Sequence, residues 1–387
     1  MDFVHLHNHS EFSLLDGMLK INSGRGKPSE FLKTIAGQGV RAMAVTDHGN
    51  MFGAVDFYFA AREVGIHPII GCEMYEASGS RLDKKADSVN SHLTVLARNE
   101  TGYRNMLAML SEAYLNGFYN RPRIDKELLA QHGEGLVVLS GCMQSQLSQA
   151  CLKGNLDEAV RLAAQYRDIV GDGNFYLEIM DHGIAEEKTI LEGILEVARR
   201  TGLPLVATND CHYHHKADWQ AHDVHLCIAT GSALDDPDRF KMTTHELYFK
   251  SADEMKQLFS FCPEAIRNTV EIANKCQFKL EYGKSILPVF PLPPDAGTDN
   301  IELYLRGLCL KGLKLKLGTE TIAPDYMQRL EFELGVINKM QFPSYFLIVS
   351  DFIAAARGMG VPVGPGRGSG AGSLVSYSLD ITRVDPL

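Results

Sequence analysis

Short apolar runs alternate with amphipathic stretches through the first 210 residues, and that alternation leaves few folds open. The runs VRAMAVTD (40–47), HPIIGCEMY (67–75), HLTVLAR (92–98), GLVVLSG (135–141), NFYLEIM (174–180) and LPLVATND (203–210) each have the length and composition of a buried strand. Between them lie PSEFLKTIAGQG, MFGAVDFYFAAREVG, GYRNMLAMLSEAYLNG, NLDEAVRLAAQYRDIVG and EEKTILEGILEVARRTG, which carry helical periodicity. Several of these end in glycine, a common helix stop. Strand–helix alternation implies parallel strands, and about seven such units imply a barrel, of (β/α)7 type. In such a barrel, functional side chains are expected at the C-terminal ends of the strands.

The pattern changes near residue 286. ILPVFPLPPDAGTD (286–299) carries four prolines and no helical period, and reads as a linker. Amphipathic helices follow in IELYLRGLCLKGLKLKLG, YMQRLEFELGVINKM and YFLIVSDFIAAARGMG. The glycine-rich GPGRGSGAGS (364–373) is expected between a short strand and a helix. The expected domains are therefore 1–285 and 286–387.

Composition bounds the setting. The chain is 45% hydrophobic and 22% charged, an ordinary globular balance. No apolar run approaches the roughly 18 residues of a membrane span, and MDFVHLHNHS has neither the basic nor the apolar region of a signal peptide. Eight cysteines without a CxxC pair point to reduced thiols and a cytoplasmic location. The net charge of −10 argues against a broadly basic nucleic-acid surface. Bound divalent ions would offset part of it, so a phosphate substrate stays open.

Metal-ligating residue types gather at the strand ends. His7 and His9 alternate on the first strand and so share a face, and Asp16 follows in the next loop. Later runs end in Thr46-Asp47-His48, Gly71-Cys72-Glu73, Ser140-Gly141-Cys142 and Thr208-Asn209-Asp210-Cys211-His212. His92 begins a strand, an exception to the pattern. Singly, each fits an ordinary structural role. Together they would place unsatisfied polar groups inside a barrel, and coordination satisfies such groups. Imidazole, carboxylate and thiolate donors suit zinc, with manganese or iron as alternatives. So many donors imply two or three ions, an arrangement suited to phosphoester hydrolysis.

HLHNHS…D, TDH, GCE, HL, SGC and NDCH resemble the successive motifs of the PHP (polymerase and histidinol phosphatase) superfamily. Beyond them, FVHLHNHSEFSLLDG, GFYNRPRID, LEIMDHG and the segment from FPSYFLIVSDF to DITRVDPL resemble the bacterial C-family replicative DNA polymerases, the DNA polymerase III alpha subunits. The likeness covers essentially the whole chain. It implies a distorted PHP-type barrel followed by an incomplete α+β palm segment. It implies nine metal ligands: His7, His9, Asp16, His48, Glu73, His92, Cys142, Asp210 and His212. Family members with the full set resemble 3′–5′ exonucleases, and the same nine are the expected catalytic residues. The Gly-Arg-Gly-Ser turn is implied to hold an incoming nucleotide's triphosphate through Arg367, Gly368 and Ser369. Gly370 departs from the alanine more often found there. The family's polymerising aspartates, with their magnesium, lie after DPL, so this chain alone is not expected to polymerise. Implied partners are DNA, a sliding clamp, a clamp loader and a separate proofreading exonuclease, with no membrane.

Other residues carry weaker expectations. His5 shares the alternation of His7 and His9 and is a candidate for a supporting contact. Asp47 reads as an orienting group beside His48. Arg121 and Arg123 are candidates for phosphate contact or for a solvated loop. His214, His215, His222 and His225 read as a polar helix face, and the polar segment 77–91 as a lid or a surface loop. Two other functions compete with the nuclease: a barrel in which metals serve only stability, and a small-molecule phosphatase, which the C-terminal segment disfavours.

Overall fold

The six apolar runs form β1 (Ala42–Val45), β2 (His67–Ala77), β3 (Asn90–Ala97), β5 (Leu136–Leu139), β6 (Phe175–Ile179) and β7 (Leu205–Ala207), and a two-residue β4 (Arg123–Ile124), which no apolar run marked, is added between β3 and β5. The computed structural model describes residues 2–84, 90–283 and 286–387. The strands run in the order β1-β2-β3-β5-β6-β7, with β4 paired to β2 off this path. β1–β2, β5–β6 and β6–β7 are parallel, but β3 is antiparallel to both β2 and β5. This corrects the all-parallel expectation. A parallel neighbour needs a long crossover, usually a helix, and the described residues between β2 and β3 contain none.

The reversal explains the exception of His92. A strand that runs backwards presents its start, not its end, to the functional face. β2 also runs past Glu73 to Ala77, so Glu73 lies within the strand rather than at its end. The first strand forms no continuous ladder. Residues 5–9 instead bond in both directions: the Ala44 and Thr46 amides donate to the His5 and Asn8 carbonyls (2.8 and 2.9 Å), while the His9 amide donates to the Cys211 carbonyl (2.8 Å). This segment joins the β1 edge to the chain just after β7 and closes the curl.

Expected helices form at Glu30–Gly37, Ala54–Glu63, Glu100–Leu115, Leu156–Val170 and Ala185–Thr201. Gly171 and Gly202 follow two of them with φ of 83° and 71°, the range in which a side chain is strained. The short helices Lys126–His132 and Gln146–Leu152 begin at Asp125 and Ser145, whose side chains accept from the Leu128 and Ser148 amides. Of the segment 77–91, residues 85–89 lie outside the described residues. Arg81 within it pairs with Glu112 and Asp125, which ties that part of the segment to the body.

The chain divides into Met1–Leu280 and Glu281–Leu387. The expected boundary falls slightly later, and residues 284–285 lie outside the described residues. The second unit packs helices Ile301–Leu317, Pro324–Lys339, Pro343–Gly358 and Leu374–Ser378 around Leu305, Cys309, Leu313, Leu334 and Leu374. Among its described residues there is no strand, which corrects the expected strand before the glycine-rich loop and the α+β description of this segment. VPVGPG offers two prolines without amide donors and two glycines, a poor strand.

Gly102, near the start of its helix, lies against the Gly135 carbonyl that leads into β5. A methyl group there would come within 1.9 Å of that oxygen. Gly102→Ala is therefore expected to destabilise the first unit by about 2 kcal/mol, checked by denaturant unfolding. An unchanged midpoint would contradict the close approach.

Candidate metal centre

The nine expected ligands meet at one end of the sheet. Three rise from the closing segment and the loop after it: His7, His9 and Asp16. His48 follows β1 and forms a single bridge with Glu73 of β2, while Tyr75 of β2 sits opposite His92 of β3. Cys142 follows β5, and Asp210 and His212 follow β7. Antiparallel β3 and parallel β1, β5 and β7 thus serve one face.

Glu73 is the hub, only 1% exposed. Its Oε1 lies 3.4 Å from His7 Nε2 and 3.0 Å from His92 Nδ1, and its Oε2 lies 2.6 Å from His48 Nδ1 and 3.6 Å from His9 Nε2. Asp210 Oδ1 lies 3.0 Å from His9 Nε2 and 3.4 Å from His7 Nε2. Asp16 reaches His48 Nε2 at 3.1 Å and His212 Nε2 at 3.6 Å. Cys142 Sγ lies 3.4 Å from His92 Nδ1. Three triplets offer donors within 4.8 Å of one another: His7–His9–Asp210, His9–His48–His212 and His48–Glu73–His92.

Five buried atoms of this cluster lack a hydrogen-bond partner of acceptable geometry: His7 Nε2, His9 Nε2, His48 Nδ1, Glu73 Oε2 and Asp210 Oδ1. Orphaned buried donors and acceptors are costly, and here they face one another across a few ångström. This donor set fits divalent cations. Asp210 also holds a left-handed backbone (φ 42°), a conformation unfavourable for a non-glycine residue and concentrated at functional sites.

Charge follows the same geometry. Burial pushes Glu73 and Asp210 up, but the neighbouring imidazoles outweigh it and hold both carboxyls well below the usual range. Burial pushes His7 and His48 down, but carboxylates outweigh it and hold both well above the ordinary value. His212 is raised to about 9 by Asp16 and Asp210 against its burial. His9 is lowered to about 3 by burial and by His48 and His212 beside it. Burial and the Glu73 and Asp210 charges push the Cys142 thiol well up, so its thiolate form requires added positive charge.

Surrounding groups fix the imidazoles. Glu178 was not anticipated. Its Oε1 lies 2.8 Å from His7 Nδ1 and accepts from Thr208, and its Oε2 accepts from the Gly141 amide and from Thr94. Such a carboxylate orients a ligating histidine. The one acid in an otherwise apolar FYLEI run was its signal. Asp47 does orient the site, but through Ser13: Ser13 Oγ lies 2.7 Å from Asp47 Oδ1 and 2.9 Å from His9 Nδ1. His222 lies 3.2 Å from Asp16 Oδ1 and is 2% exposed, so it belongs to the site rather than to a polar face. Helical spacing gave no sign of this.

Other candidates lie elsewhere. His5 contacts the Lys250 carbonyl and the Phe249 ring. His214 and His215 stack on each other. Arg123 is fully buried and donates to the carbonyls of Gly117, Arg81 and Asp83, so it is not available to a phosphate. Arg121 is exposed over the Tyr75 ring. Arg367, Gly368 and Ser369 are exposed in the second unit.

Comparison with known proteins agrees with the motifs. Residues 5–182 match the PHP domain family, and residues 303–387 match the family described as the bacterial DNA polymerase III alpha NTPase domain. The whole chain aligns with DNA polymerase III subunit alpha of Treponema pallidum at 44% identity, covering 32% of that protein. It aligns with the same subunit of Campylobacter jejuni at 42%, covering 34%, and of Thermus aquaticus at 39%, covering 36%. The chain thus spans about a third of the length of the curated relatives it matches. A solved amidohydrolase from Chromobacterium violaceum, matched over 54% of this chain and 87% of its own, shows 15% identity and a TM-score of 0.36, too slight a likeness to bear on fold or chemistry. No helix among the described residues is long and apolar enough to cross a membrane.

Coordination needs deprotonated imidazole and thiolate, whereas His7, His48 and His212 favour their charged forms and Cys142 its neutral thiol. Manganese or zinc binding at neutral pH is therefore expected to release protons, and affinity to strengthen as pH rises toward about 9. Titration calorimetry in buffers of different ionisation enthalpy reads this directly. Binding without proton exchange would contradict the arrangement.

Proposed function

We propose that this chain, a member of the bacterial DNA polymerase III alpha-subunit family, carries in its PHP domain a metal-dependent phosphodiesterase that removes nucleotides from the 3′ end of DNA. The observation that supports this most is the set of five orphaned donor atoms, turned toward one another at the end of the sheet. His7, His9, Asp16, His48, Glu73, His92, Cys142, Asp210 and His212 would hold two or three divalent ions, zinc or manganese, with iron as a further alternative. Bound there, such ions lower the pKa of water and stabilise the charge that develops on a phosphoryl group.

The chain's own residues do the rest. Glu178 and the Asp47–Ser13 pair hold the His7 and His9 rings in place. Asp16, with 25% of its side chain exposed, and Asp210, His48 and His92, with 16%, 15% and 15%, are the accessible members of the cluster. In the reaction a water oxygen attacks phosphorus, and the bond to the O3′ of the penultimate nucleotide breaks. That O3′ takes up a proton, and a nucleoside monophosphate leaves.

A second reading has an observation in its favour. His7, His9 and Glu73 are buried, as in sites where metal serves stability. In that case the domain would support the polymerase or bind a separate proofreading subunit. A histidinol-phosphatase-like role is disfavoured by the polymerase match at 303–387. For the second unit we propose that Arg367, Gly368 and Ser369 contact the triphosphate of an incoming nucleotide in the complete polymerase, with magnesium supplied at aspartates beyond this sequence. DNA, the sliding clamp and the clamp loader are the proposed partners.

The deciding assay is release of the terminal nucleotide from a 3′-labelled, mismatched primer–template, with manganese or zinc and with chelator. Metal-dependent release is expected, and Asp210→Asn is expected to abolish it while retaining most of the metal. Full turnover in that variant would remove Asp210 from the mechanism. Bound metal without release would favour the structural reading. Glu178→Gln is expected to weaken metal affinity by about 10- to 100-fold, measured by competition with a chromogenic chelator.

A further inference from the structure

The rim of the metal centre carries aromatic side chains that the proposed chemistry leaves unused. Tyr75 stacks on His48 with ring centroids 6.0 Å apart and meets His92 edge-on at 5.2 Å. Its ring is packed so closely on Gly49 that a methyl group there would come within 2.9 Å of the ring carbons and 3.0 Å of Pro122. β4, off the main path of the sheet, pairs with β2 so that Arg123 sits opposite Tyr75. The preceding turn then carries Arg121 to a point 5.6 Å from the Tyr75 ring centroid.

Outward from there the aromatics continue. Phe118 lies in the same turn as Arg121, closed by the Tyr119–Arg121 bridge. It is 46% exposed and 6.3 Å from Tyr114. Tyr114 is 42% exposed and 6.4 Å from Phe52, which is 60% exposed and follows His48 by four residues. Exposed apolar groups in a contiguous strip are unusual on a soluble surface. An unpaired nucleic-acid strand is bound by this combination, aromatic faces for the bases and a cation for the backbone. A duplex keeps its base faces stacked internally and cannot use such a strip.

We propose that Phe52, Tyr114 and Phe118, with Tyr75 and Arg121 at the inner end, form a stacking track that guides an unpaired single-stranded DNA end into the metal centre. Arg121 supplies the charge complement for a backbone phosphate, and Tyr75 packs the terminal nucleotide beside His48. This deepens the nuclease reading and rests on it for its direction toward the site. It also gives a basis for choosing mismatched ends, since only a frayed end offers free base faces.

The test is binding of a 5′-fluorescein oligothymidylate to the full chain in chelator, followed by anisotropy, so that hydrolysis does not enter. Phe118→Leu and Phe52→Leu are each expected to weaken binding about tenfold, and Phe118→Trp to retain it, because tryptophan keeps a flat π-face and leucine keeps only apolar area. Arg121→Ala is expected to weaken binding and flatten its salt dependence. A blunt duplex of equal length is expected to bind no better to the parent chain than to Phe118→Leu. Unchanged oligothymidylate binding in both leucine variants would overturn the track, even if the chain hydrolyses DNA. Equal losses for duplex and single strand would overturn it as a single-strand device, and so would leucine variants that changed only self-association in sedimentation. Loss of single-strand binding without any hydrolysis by the parent chain would support the track while removing the nuclease reading.

Discussion

Glu73 lies buried within 3.6 Å of four imidazoles, and the first unit is organised around keeping it there. A carboxylate with that little solvent must be compensated by positive charge, because a buried unpaired charge is far costlier than any single packing defect. The histidines compensate it in part by retaining protons. Five atoms of the cluster are still left without a hydrogen-bond partner of acceptable geometry. A divalent ion would take up the lone pairs of these carboxylate oxygens and of the imidazole nitrogens once their protons leave, and that is the physical reason to read the cluster as a metal centre.

The topology answers the same need. The closing segment of residues 5–9 bonds to both edges of the curled sheet and holds His7 and His9 over the centre. The reversed strand β3 turns His92 inward from its N-terminal end. A fully parallel barrel would have placed that residue on the far side. Short β4 adds little to the sheet, yet its pairing with β2 fixes where Arg121 and Tyr75 sit at the rim.

Much of this was readable in the sequence because the ligands occupy predictable places relative to apolar runs. Strand positions and the helices ending at Gly171 and Gly202 followed from periodicity and glycine placement. Metal-ligating residue types stood out by their recurrence beside strand ends, and the motif resemblance implied the set of nine. The direction of β3 did not follow, because the strand–helix alternation that implies parallel strands breaks between β2 and β3, where the described residues hold no helix. His222 was missed because its helix brings it to Asp16 only through tertiary packing. Glu178 was visible as an acid in an apolar strand, but its partner His7 is remote in sequence. Arg123 was a candidate for phosphate contact or for a solvated loop, and the structure shows neither: it is buried and donates to the carbonyls of Gly117, Arg81 and Asp83. The expected strand near residue 362 failed because prolines remove the donors a sheet requires.

On this reading the cluster holds more than one ion. The most direct measurement is the metal content of the purified chain, by inductively coupled plasma mass spectrometry after dialysis against manganese or zinc, with His9→Ala alongside. About two to three ions per chain are expected, and fewer in the variant, because His9 belongs to two of the three donor triplets. Less than one ion per chain, or the same content with and without His9, would contradict it.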